Sequence, residues 1–163
     1  MNETVYHLNQ FNIARIRAPL DHPDMAGFVA ALKPINALAD GSPGFVWRLQ
    51  TEDGDSTAIR PYADARILVT LSVWESIEAL YRFSYTTGHA GIMARRREWF
   101  EELEPPYLVL WWAPAGRLPT VEEGKGRLEL LRRGPTREAF TFRHHFPAPG
   151  NLSQPAADRA DLR

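Results

Sequence analysis

The chain has no cysteine among its 163 residues. That excludes disulfides, thiolate metal ligands and a cysteine nucleophile together. Charge of one sign is also lacking: 19 Lys and Arg stand against 20 Asp and Glu, a formal net charge of -1. Sequence-independent nucleic-acid binding and electrostatic attachment to anionic lipid both need a basic excess, so neither partner is expected. No apolar run approaches the roughly 20 residues of a membrane span. The start, "MNETVYHLNQ", has no basic segment leading into an apolar one, so no signal peptide is expected and the cytoplasm is the expected location. Phosphate-binding glycine loops, a GxSxG elbow and HExxH are missing too. Tandem His144-His145 would diverge on a strand, and no carboxylate stands at a suitable spacing, so no metal is expected.

What is present is ordinary for a globular protein: 44% hydrophobic and 24% charged residues. The length suits one domain, expected over residues 1–146. From Pro147 the composition turns to Pro, Ala, Asp and Arg, and residues 147–163 are expected to form a disordered tail.

"VYHLNQFNIARI" (Val5 to Ile16) is rich in strand formers but carries polar residues on both of its faces. One face would show His7 and Asn9, the other Gln10 and Asn12, so one of the two lines something wet. A helix is expected from Asp24, kinked at Pro34. In "FVWRLQ", Phe45, Trp47 and Leu49 alternate with Val46, Arg48 and Gln50, a strand pattern that puts Arg48 toward solvent or an interface. After a polar loop, "RILVTLSVW" is a strand showing Ile67, Val69, Leu71 and Val73 on one face. Ser76 caps a short helix, and a second helical piece follows from Thr86 or Thr87. "PPYLVLWW" is the last clear strand, with Trp111 and Trp112 on opposite faces. Thr120 and Glu123 form a capping box for a helix running to Arg132 or Arg133 and stopping at Gly134. "AFTFRHHF" adds an edge strand or packs along the sheet.

The order β-α-β-β-α-β is the split β-α-β, ferredoxin-like arrangement of an α+β fold, here with a C-terminal helical extension. Helices cover one face of the antiparallel sheet. The other face needs a cover, and in this topology a second copy supplies it as a dimeric α/β barrel, so a homodimer is expected.

Candidate chemistry lies in "YTTGHAGIMARRREWF". Taken as one helix, its apolar stripe of Ile92, Met93, Phe100 and Leu103 also holds His89 and Arg96, seven residues or two turns apart. Trp99 stands at the edge of the stripe. A cationic pair beside an aromatic wall suits a carboxylate, enolate or phenolate oxygen. Singly, each side chain has a plainer reading, as a hydrogen-bonded structural histidine and the inner half of an ion pair. Their convergence is what points to a pocket. His7 and Asn9 on the first strand and Trp47 on the second are further candidates for its lining.

Across "HLNQFNIARI", "PGFVWRLQ", "LSVWES", "GHAGIMARRREWF", "LVLWW" and "GPTREAFTF" the sequence resembles the bacterial domain-of-unknown-function 3291 family, from about Val5 to Phe146. The resemblance implies the dimeric α/β-barrel superfamily, which includes antibiotic-biosynthesis-type monooxygenases, muconolactone-isomerase-like proteins and haem enzymes. It carries over no catalytic residue. The expected function is small-molecule binding with cofactor-independent monooxygenase- or isomerase-like activity on a small aromatic or polyketide-like substrate. His89 would move a proton and Arg96 would stabilise an oxyanion, while Trp47, Trp99, His7 and Asn9 bind substrate. The alternatives are a haem protein with His89 as axial ligand, and a ligand-binding module without turnover.

Overall fold

The strand richest in mid-strand polar residues turns out to be the innermost one. The computed structural model describes residues 3–86 and 89–150, residues 89 and 90 by their backbone only. In chain order the elements are β1 (Tyr6–Ile16), α1 (Ala26–Asp40), β2 (Phe45–Arg48), β3 (Ile67–Trp74), α2 (Ile77–Thr86), α3 (His89–Ala94), α4 (Arg96–Trp99), β4 (Phe100–Glu101), β5 (Leu108–Pro114) and α5 (Val121–Leu131). β1 pairs with β3 along one side, from Leu8 opposite Trp74 to Arg15 opposite Ile67. On its other side it pairs with β5, from Tyr6 opposite Pro114 to Asn12 opposite Leu108, and beyond that with β4 at Arg15 and Ile16. β2 closes the far edge of β3. All pairings are antiparallel. The fold is α+β, with the ferredoxin-like strand order.

Local chemistry explains most boundaries. A short 3₁₀ turn at Pro23–Met25 precedes α1, its first turn capped by His22 Nδ1, which accepts from the Asp24 N–H. Pro34 lies inside α1; it has no N–H, so Ala30 loses its helical partner there. At α5 the Thr120 hydroxyl accepts from the Glu123 N–H at 3.1 Å, the expected cap. The Glu123 side chain does not close the box; it accepts instead from Trp111 Nε1 at 3.2 Å.

The sheet is covered on both faces. Leu8, Trp74 and Leu110 meet Ile35 and Ala39 of α1 and Ile77, Leu80 and Phe83 of α2. On the reverse, Phe11, Val69, Leu71, Val109 and Trp111 meet Leu128 and Leu131 of α5. Trp111 and Trp112 fall on opposite faces, as their adjacency requires. Over Phe11, Val109 and Trp111 the cover comes from this chain's own C-terminal helix. The segment after α5 touches the sheet at one bridge, Leu110 with Phe140, and Trp112 Nε1 donates to the Phe146 carbonyl at 2.8 Å. Among the described residues no helix is long and apolar enough to cross a membrane.

α5 approaches β1 so closely that a Cβ on Gly124 would stand 2.6 Å from the Phe11 ring, whereas nothing lies within 4 Å of one on Gly126. Two alanine substitutions in one helix should therefore differ in sign. Gly126→Ala removes a helix-destabilising glycine and should raise stability by about 1 kcal/mol. Gly124→Ala gains the same propensity but overpacks a fully buried ring, which costs about 1–3 kcal/mol. Urea unfolding should show Gly126→Ala more stable than the parent and Gly124→Ala less. Equal gains in both would mean that α5 does not seat on Phe11.

Candidate active site

Between the sheet and α1, α2 and α3 lies a cavity of about 580 Å³. Its floor is polar. Gln10 stands opposite Ser72 and Asn12 opposite Thr70, so all four side chains project from the same face. They form one hydrogen-bonded chain. Trp74 Nε1 donates to Ser72 Oγ at 2.9 Å, and Ser72 Oγ donates to Gln10 Oε1 at 2.7 Å. Gln10 Nε2 donates to Asn12 Oδ1 at 2.5 Å and to Thr70 Oγ1 at 3.4 Å. Thr70 Oγ1 in turn donates to Asn12 Oδ1. The chain ends on an acceptor that takes two bonds, which leaves the Asn12 Nδ2 amide as a donor facing the cavity.

The roof is apolar: Phe28, Leu32 and Ile35 from α1, Phe83 from α2, Ile92 and Met93 from α3. An aromatic cluster stands at one side, with the rings of Tyr81 and Tyr85 4.7 Å apart and Phe142 edge-on to Tyr81 at 5.6 Å. Loss of water pushes the Tyr85 phenol above its ordinary pKa, and neighbouring Tyr81 and Tyr107 add to this, while Arg96 and Arg143 pull it down.

The sequence-based candidates do not converge on this cavity as a set. Arg96 lines it, exposed at the rim, where Nη1 donates to the Tyr107 hydroxyl at 3.4 Å. The His89 side chain lies outside the described residues; only its place at the start of α3 is given. Nor is the stretch one helix. It breaks at Arg95, between α3 and α4, so the two-turn alignment of His89 with Arg96 does not hold. The break accompanies the docking of Trp99, which is 2% exposed in a core with Ile16, Met25 and Leu68 and does not line the cavity.

Trp47, His7 and Asn9 are on the other sheet face. His7 stands opposite Ala113 and Asn9 opposite Val73 and Trp111, the side that α5 covers at Trp111. Trp47 was expected to share a face with Phe45, but β2 carries a register shift between the two. Phe45 pairs with Trp74 and Trp47 with Val73, so they face opposite ways, and Trp47 packs into the α5-side core. The same shift turns Arg48 into the cavity lining instead of solvent. Asp40 holds it there at 2.7 and 3.2 Å, with the Gly54 carbonyl at 2.7 Å.

Gln10, Asn12, Thr70 and Ser72 escaped selection although their signal was present. Thr70 and Ser72 alternate with Val69, Leu71 and Val73, and pairing β3 with β1 identifies which polar face of β1 is the wet one. Elsewhere, His145 Nδ1 lies 2.8 Å from the Phe142 carbonyl. Among the described residues no three His, Asp or Glu side chains are grouped to hold a metal.

The sequence model of a domain of unknown function, DUF3291, matches residues 7–156. The chain belongs to the DUF3291 family. No curated protein matches it significantly. Similar solved structures include a Nitrosomonas europaea protein of unknown function, at TM-score 0.47 and 15% identity over 72% of this chain and 99% of that one. A Pseudomonas aeruginosa protein follows at 0.44 and 14%, covering 72% and 100%. SnoaB, a cofactor-independent oxygenase from Streptomyces nogalater, is similar at 0.43 and 16%, covering 71% and 96%.

Because Arg96 draws the Tyr85 pKa down, Arg96→Ala should move the Tyr85 phenol further toward alkaline pH. The shift is read from the tyrosinate absorbance of the variant and its parent, with Tyr85→Phe in each background to isolate that phenol. A Tyr85 titration that ignores the substitution would place Arg96 away from the cavity rim.

Proposed function

We propose that this DUF3291 protein binds a flat aromatic or polyketide-like molecule in the cavity between sheet and helices, and acts on it as a cofactor-independent monooxygenase or isomerase. The observation that supports this best is the composition of the cavity. A floor of amides and hydroxyls saturates itself except at Asn12 Nδ2, beneath a roof of Phe28, Leu32, Ile35 and Ile92. A dry core would not place Gln10, which is buried, and three further polar side chains on one sheet face under an apolar roof. An apolar body under the roof with one oxygen over Asn12 fits both surfaces.

Both reaction types start by removing a proton from carbon next to a carbonyl or phenol, which builds negative charge on that oxygen. A donor fixed before the reaction stabilises such charge without reorganising. Asn12 is held in place by Gln10 and Thr70, so its amide suits that role. Arg96 at the rim adds positive potential, and His89 on α3 is the residue assigned to carry the proton. The alternative is a haem protein with His89 as axial ligand. Homodimer formation belongs to this reading as an expectation of the fold.

Isothermal titration with 2-naphthol should show one site per chain. Ala31→Trp, which fills the cavity from α1, should weaken binding roughly tenfold or more with the fold retained by circular dichroism. Deuterium uptake at the acidic carbon of hydroxynaphthalenones then tests turnover, and Asn12→Leu should slow it at unchanged fold. Binding without any exchange across such a panel would leave a binding module in place of the enzyme. No binding at all would remove the site.

A further inference from the structure

We infer that the cavity selects an anionic ligand, a flat apolar acid whose carboxylate sits at the mouth between Arg17, Arg96 and Arg97. This rests on the reading that the cavity holds a small molecule, and it adds the charge of that molecule.

The distribution of ion pairs supports it. Four described arginines line the cavity, Arg17, Arg48, Arg96 and Arg97. Arg48 is bound by Asp40. The other three have no carboxylate within salt-bridge distance among the described residues, although arginines close by do: Arg95 holds Glu98 at 2.8 Å, and Arg15 and Arg66 share Asp64 and Glu101. The backbone brings the three together. Arg17 follows β1 directly, its N–H donates to the Trp99 carbonyl at 2.8 Å, and its Nε donates to the Arg97 carbonyl at 2.8 Å. That fixes the Arg17 side chain beside α4 and leaves both of its terminal amino groups as donors. Arg96 is turned inward by the Tyr107 hydroxyl at 3.4 Å and the ring behind it at 6.0 Å.

Opposing charge at the cavity is smaller. Asp55 accepts from the Thr57 N–H and hydroxyl, and Glu101 is paired with two arginines. Asp55 and Glu102 line the cavity without a cation among the described residues. Three guanidinium groups without a carboxylate partner face two carboxylates without a cation, in a chain whose formal net charge is -1. A run of exposed arginines on a solvated face would not need to be collected from two separate elements around one opening. Guanidinium forks match a carboxylate in shape as well as charge.

The test compares 2-naphthoate with 2-naphthamide, which share a ring and differ in charge, by isothermal titration on the full chain. The acid should bind about tenfold tighter at low salt, the worth of one charge-assisted pair. Raising the salt to about 0.5 M should shrink that preference. In the triple variant Arg17→Gln/Arg96→Gln/Arg97→Gln the preference should disappear while the amide binds within about twofold of the parent, which also shows that the cavity has kept its shape. Equal binding of acid and amide would overturn the anionic assignment and leave the pocket reading standing. A preference for the acid that survives the triple variant would overturn it too, by placing the charge elsewhere. Failure of both probes to bind would remove the pocket reading and the anion with it.

Discussion

β1 has no free edge. It is bonded to β3 on one side and to β5 and β4 on the other, so its register is fixed by two neighbours at once. A slip of one residue would exchange everything on its two faces. Gln10 and Asn12 would then turn toward α5, and Phe11 would turn into the cavity. The seat of α5 and the floor of the cavity are thus the two sides of one alternation. The buried polar residues add to the constraint, because Gln10, 6% exposed, is satisfied only by Asn12, Thr70 and Ser72 in this register. Buried amides without such partners cost more than an apolar residue in their place. The ladder therefore disfavours competing registers while it builds the cavity floor.

The bulge in β2 does comparable work at the sheet edge. One inserted residue reverses the sense of the strand, sending Trp47 to pack with the α5-side core and Arg48 to the cavity side. Arg48 is then held by Asp40 at the end of α1. Its charge serves to join helix and strand, so it is not equivalent to the arginines at the mouth. The distinction between structural and available cations comes from partners, and partners belong to tertiary structure.

This explains which parts were legible in the sequence. The order of elements follows from local periodicity and punctuation, and the Thr120 cap and the divergence of Trp111 and Trp112 follow from rules spanning one to three residues. The polar character of β1 was legible as well, but its correct face was not. His7 and Asn9 look as suitable as Gln10 and Asn12 until β3 is laid alongside and Ser72 and Thr70 fall opposite the second pair. Trp47 was misplaced because a bulge leaves no mark in an alternating pattern. Trp99 was misplaced because a continuous helix was assumed through Arg95, where the chain turns and drops the indole among Ile16, Met25 and Leu68.

α5 changes what the rest of the fold requires. An antiparallel sheet with helices on one face leaves an apolar reverse side that needs a second copy or another cover. Here Leu128 and Leu131 bury Phe11, Val109 and Trp111 from within the chain, and Gly124 allows the backbone to lie against the Phe11 ring. The cover is not uniform. Asn9 is 1% exposed on this same face, yet its amide atoms and His7 Nδ1 have no hydrogen-bond partner among the described residues. Buried amides of that kind are normally satisfied by protein or by trapped water. The two faces of β1 thus differ in a way that composition alone does not express. On one, every polar group of the ladder works against another or faces an opening. On the other, His7 and Asn9 remain from the alternation with buried side-chain atoms that have no hydrogen-bond partner among the described residues.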